Sequence, residues 1–149
     1  MKSYVTPIAL TLLSATRFAL GAEVPTACAN LSTTAVAPDS LSQRIAAAQS
    51  ARLTLLGGEN TPASRQCESV VMAGFERLGK IKTQAAAQAV VKLVLDKKLN
   101  LDSADRPAIA SYIIEGGLGP LISPLLWPHR DQSLLAREIV SCVGQKTCM

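Results

Sequence analysis

Residues 61–79 read "TPASRQCESVVMAGFERLG". Thr61 is a good N-cap, and Pro62 suits the first helical position, where its missing N–H costs nothing. Cys67, Val70, Val71, Gly74, Phe75 and Leu78 then recur at the i, i+3, i+4, i+7 spacing that makes one apolar face. Arg65, Glu68, Ser69, Glu76 and Arg77 fall mostly on the other side, and Gly79 closes the helix. Cys67 therefore points toward a core, where a reactive thiol would not sit. A helix with one apolar face must bury it against a second layer.

The flanking segments supply that layer. Residues 41–56, "LSQRIAAAQSARLTLL", follow Asp39 and Ser40 as candidate caps and stop at Gly57-Gly58. Leu41, Ile45, Ala48 and Leu55 recur at helical spacing, although Arg52 interrupts the stripe. From Thr83 to Lys98 the polar residues Gln84, Gln88, Lys92 and Asp96 form one narrow stripe on an otherwise apolar helix, which belongs in the middle of a bundle. A fourth helix begins at Asp102 or Ser103 with Pro107 in its first turn. It presents Ile109, Tyr112 and Ile113 and stops at Gly116-Gly117. The last begins near Asp131 or Ser133. Leu134, Leu135, Ile139, Cys142 and Val143 face inward, and Gly144 ends it. No stretch shows the strict alternation of a half-buried strand. The expected fold is all-α: a four- to five-helix, disulfide-stapled bundle.

Residues 116–128, "GGLGPLISPLLWP", break the pattern. Glycine and proline punctuate six large apolar side chains, so the sequence predicts an irregular loop. It is too short and too broken to span a membrane. Either it folds over the end of the bundle, the favoured reading because apolar loops are usually satellite core, or it exposes an apolar surface to a partner or lipid. Leu118, Leu121, Ile122, Leu125 and Trp127 are the partner-binding candidates.

The chain opens "MKSYVTPIALTLLSATRFALGAEVP". Lys2, an apolar run from Tyr4 to Leu13 and the small residues Ala19 and Gly21 follow the order of a secretory signal peptide, with cleavage after Gly21. The expected organisation is a signal peptide at 1–21, an extended segment at 22–38 and a single helical domain at 39–149. Cleavage leaves 128 of the 149 residues, enough for one domain and a real core. The full chain carries +4, and the leader takes Lys2 and Arg17 with it, so the remainder is +2. So small a surplus, without clustered Lys and Arg, argues against a nucleic-acid partner. "LDKKLNLD" is the densest basic patch and reads as a solvated helix end. Asn30 opens the sequon "NLS", which matters only in a eukaryotic secretory pathway.

All four cysteines, Cys28, Cys67, Cys142 and Cys148, lie beyond the leader. In an exported chain an even number makes two disulfides the expectation and places the protein in the periplasm or outside the cell. Cys67 and Cys142 both point inward on their helices, which favours Cys67–Cys142 with Cys28–Cys148. Cys28–Cys67 with Cys142–Cys148 is the rival, since a turn at Gly144 could bring the tail back.

Catalytic patterns are sparse. The cysteines lack zinc spacing and the C-x-x-C redox motif, so no metal or other cofactor is expected. His129 is the sole histidine, without an evident orienting partner. Glu68 and Glu76 share a side of their helix and could in principle work as a carboxylate pair, but Arg65 and Arg77 beside them read as an ordinary solvated face. Three functions follow in order. The first is an exported binding or inhibitory protein, immunity-like in physique, acting through protein contact. The second is a lipid or small-ligand carrier with the 116–128 loop as its lid. The third is a small enzyme using Glu68, Glu76 or His129.

Overall fold

The computed structural model describes residues 23–31, 36–57 and 60–143. The expected signal peptide, the last cysteine and the turn at Gly144 lie outside them. Among the described residues there are seven α-helices and no strands: α1 (Thr26–Leu31), α2 (Pro38–Leu56), α3 (Pro62–Gly79), α4 (Gln84–Val94), α5 (Asp105–Glu115), α6 (Gly119–Leu126) and α7 (Leu134–Cys142). A 3-10 turn, Trp127–His129, follows α6. None of these helices is long and apolar enough to cross a membrane.

Helix α3 starts and ends where its sequence says. The Thr61 hydroxyl accepts the backbone N–H of Ser64, and Pro62 occupies the first turn. Cys67, Val71, Gly74, Phe75 and Leu78 form its buried face, with Phe75 fully enclosed. Helix α2 lies across it, and Gly74 is what lets them close. A Cβ at Gly74 would come 2.9 Å from Cγ1 of Ile45. At the far end α3 meets the end of α5 backbone to backbone. A Cβ at Gly79 would stand 2.6 Å from the carbonyl oxygen of Tyr112, and one at Gly116 would collide with the carbonyl of Gly79. Helix α2 packs on α1, α3 and α4; α5 packs on α3 and α7; α6 packs on α4 and α7.

Helix α4 keeps its narrow polar stripe in solvent at Gln84, Gln88 and Lys92 while Ala86, Ala87, Ala89, Val90, Leu93 and Val94 are buried. It ends four residues earlier than its periodicity predicts. Asp96 turns its carboxylate onto the backbone N–H of Lys98, an Asx-type turn that competes with the next helical bond. Lys97 and Lys98 are exposed there, as their sequence suggests. In α2 the inner stripe runs Leu41, Ile45, Ala48, Arg52 and Leu56. Leu55, expected inside, is 70% exposed.

Two segments differ from expectation in kind. The extended leader at 22–38 contains α1, whose buried residues Cys28 and Leu31 hold it against the bundle. The apolar loop at 116–128 is mostly helical: Leu118, Ile122 and Leu126 follow one another at four-residue steps and are fully buried. Pro120 falls in the first turn of α6, where no N–H is needed, and Pro124 stands on the exposed side. A helix of eight residues tolerates one lost internal bond when its inner face is this apolar.

The disulfide is Cys28–Cys67, with Cα atoms 5.2 Å apart, which pins α1 to α3. That overturns the preferred Cys67–Cys142 and Cys28–Cys148 pairing. Both inward-facing helical cysteines do point into the core, but Cys67 lies nearest to α1, not to α7. Cys142 is disulfide-bonded as well. Its expected partner in the rival scheme, Cys148, lies outside the described residues.

Candidate functional site

Glu68 and Glu76, weighed as a last-ranked catalytic alternative on α3, stand in separate ion pairs. Glu76 bonds Lys80 one turn away at 3.2 Å on an exposed face. Glu68 instead reaches inward to Arg52 of α2, with Nη2 to Oε2 at 2.8 Å, and not to Arg65. Arg52 is 5% exposed. Its Nε donates to the hydroxyl of the buried Ser64 at 3.0 Å, and its guanidinium lies 3.9 Å from Asp102. Asp105, the first residue of α5, lies near enough to Glu68, Asp102 and Arg52 to feel their charges. Burial and the charges of Glu68 and Asp102 push the Asp105 carboxyl up to about 6, while Arg52 pulls the other way. The arrangement is chemically that of an acid with a raised pKa, but the two clefts described below do not reach it.

Sequence reasoning missed this cluster, although one signal was present. Arg52 stands on the apolar stripe of α2, and a buried cation requires an anionic partner. The identity of that partner depends on how α2, α3 and α5 pack.

The partner-binding candidates divide. Leu118 and Ile122 are fully buried and drop out as contact residues. Leu121 and Leu125 are half-buried and pack against the core. Trp127 remains, 55% exposed. It opens the 3-10 turn that follows α6, and the Arg130 guanidinium lies over its ring, 4.2 Å from the centroid. Nη1 of Arg130 also donates to the carbonyl of Trp127 at 2.8 Å. The pair is held by backbone as well as by cation–π attraction. Leu134, 57% exposed, follows at the start of α7, which Ser133 caps through its hydroxyl. A cleft of about 200 Å³ runs beside Leu134, lined also by Leu95, Leu99, Leu101, Lys97 and Arg106. A second, of about 450 Å³, lies between Lys80, Lys82, Tyr112 and the acids Glu76 and Glu115.

His129 ends the same turn as Trp127. Among the described residues its buried Nδ1 has no hydrogen-bond partner and no acid pairs with it. Without an orienting carboxylate it is not placed as a general base. Among the described residues no group of three or more His, Cys, Asp or Glu is arranged to hold a metal ion. Comparison with known proteins matches no family model, no curated protein and no solved structure at significance.

Proposed function

We propose that the chain is an exported helical binding protein, inhibitory or immunity-like, that docks another protein on the corner around Trp127. The observation that carries this reading is the exposed indole itself, fixed on a bonded turn beneath Arg130. Trp and Arg are the residues most enriched at binding hot spots, and side chains already held in place lose less freedom on docking. Exposed Leu134 extends the apolar surface toward a cleft whose cations, Lys97 and Arg106, can meet acidic groups of the partner. Export is supported by the leader pattern in residues 1–21 and by the Cys28–Cys67 disulfide, which persists in oxidising compartments.

The carrier alternative has less behind it. The bundle axis is filled by Phe75, Ile45, Leu41, Leu78, Ile109 and Ile139, and the segment expected to be a lid contributes Leu118, Ile122 and Leu126 to that core. Capture of partners from the native secretome or periplasm tests the binding reading. Trp127→Ala should lose the captured protein while the helical circular dichroism stays unchanged. Full retention by that variant would remove Trp127 as the contact.

A further inference from the structure

We propose that the partner docked at the Trp127 corner presents an acidic segment with one apolar anchor: its carboxylates meet Arg130 and Lys97, and the anchor fills the cleft beside Leu134. This rests on Trp127 being the docking corner and adds the chemistry of what docks there. The charges around the corner are unequally engaged. Asp131 pairs with Arg137 at 3.3 Å, and Glu138 faces Arg106 at 3.7 Å. Asp102, next to the cleft-lining Leu101, turns to Arg52 at 3.9 Å. Asp96 accepts the backbone N–H of Lys98 on its carboxylate. Arg106 also donates to the carbonyl of Leu101 at 3.3 Å, so it is already held from two sides. Arg130 and Lys97 have no acid partner among the described residues. The cations left open at the corner are these two.

Arg130 is prepared for a carboxylate. Its guanidinium face rests on the Trp127 ring, and Nη1 donates to the Trp127 carbonyl at 2.8 Å. That leaves the edge formed by Nε and Nη2, whose two parallel N–H groups match the two oxygens of a carboxylate. The turn beneath is closed by the N–H of Gln132 donating to the carbonyl of His129 at 3.0 Å. Gln132 itself lines the cleft, and Lys97 stands exposed on its wall. Between these charges lie Leu95, Leu99, Leu101 and the exposed Leu134. At about 200 Å³ the cleft is smaller than the roughly 300–1,000 Å³ of a drug-sized ligand site, and its size suits a single side chain. An apolar side chain seated there takes Leu134 out of water.

The same charges select against other partners. A basic segment would set like charges against Arg130 and Lys97. An uncharged one would cover both cations without pairing them, which costs more than it gains. A nucleic acid asks for a basic stripe rather than two separated cations. A lipid surface asks for an amphipathic helix with basic residues along its polar face, and α6, the helix that leads into Trp127, carries no charged residue at all.

Titration of the disulfide-intact protein with soluble glutamate–leucine and lysine–leucine copolymers, read by Trp127 fluorescence, tests the assignment. The glutamate–leucine copolymer should bind and protect the indole, and added salt should weaken it. Lys97→Glu should lower the affinity about tenfold, because reversal removes one surface attraction and adds one repulsion, and Arg130→Gln should lower it as well. Arg65→Glu, on the exposed side of α3, should leave it unchanged. A lysine–leucine copolymer that binds as tightly, equal weakening by Arg65→Glu, or no binding of the glutamate–leucine copolymer would each overturn the proposal. Phosphatidylglycerol vesicles that bind as tightly, with the same dependence on Lys97 and Arg130, would overturn it in favour of lipid. Capture from the native secretome or periplasm separates this inference from the docking corner itself. Loss with Trp127→Ala but full retention with Lys97→Glu would keep the corner and remove the acidic partner, whereas full retention with Trp127→Ala would remove both.

Discussion

Arg52 and Arg130 carry the same side chain to opposite uses. Arg52 is enclosed between α2, α3 and the start of α5, and its donors go to Ser64 and Glu68. Arg130 stands at the surface over the one tryptophan of the chain and donates to the backbone carbonyl of that residue. Around Arg52, acids outnumber the cation, and burial with the charges of Glu68 and Asp102 raises the Asp105 carboxyl to about 6. Around Trp127, the apolar surface and the cation are still available to a partner. The contrast teaches that the inner cluster sets how stable the bundle is and at what pH. The outer corner is nearly free to change without unfolding anything, which is what a contact surface requires.

The comparison can be broken from its inner side first. Replacing Cys28 and Cys67 together by Ser should cost about 4 kcal/mol, because the bridge closes 39 residues of chain. Denaturant midpoints of oxidised and variant protein measure it. Arg52→Met should cost about 3 kcal/mol. It leaves Glu68 and Asp105 without their cation, although Glu68 is partly solvated and the loss is correspondingly softened. The loss should shrink at acid pH, where Asp105 takes up its proton. Asp105→Asn should raise stability at pH 7 by about 1–2 kcal/mol, less than a carboxyl pushed up to about 6 would imply, because solvent screens part of the effect. Trp127→Ala should change stability by less than about 1 kcal/mol, since the ring is more than half exposed, yet it should abolish capture of the partner. A Trp127→Ala protein as damaged as Arg52→Met would erase the distinction.

How far the sequence discloses this arrangement depends on whether the deciding interaction is local. Helix α3 is legible because Thr61, Pro62 and the Cys67–Leu78 stripe lie within one element. The exposed stripe of α4 is legible for the same reason, and its early end is not, since it turns on a single Asp96 side chain capturing a backbone N–H. At 116–128 glycine and proline read as a loop. The buried steps Leu118, Ile122 and Leu126 override them once α4 and α7 supply a surface to pack against. The preferred disulfide pairing failed on the same ground. Inward direction on a helix is readable, whereas which helix lies opposite is set by tertiary packing, and α1 was not foreseen as an element at all. Of the candidate residues, the favoured burial of the segment fits Leu118 and Ile122, which belong to the core, whereas Trp127 is exposed. The Arg52–Glu68 contact joins helices that no periodicity relates.

Because Trp127 is the sole tryptophan, its fluorescence reports the proposed contact without a label. Emission and acrylamide quenching are measured for the protein alone and after addition of the captured partner, whose own tryptophans are silenced by 4-fluorotryptophan substitution. The expected result is a solvent-exposed, readily quenched indole in the free protein that shifts to the blue and becomes protected on binding. A partner that binds while Trp127 remains equally red and equally quenchable would contradict the docking corner.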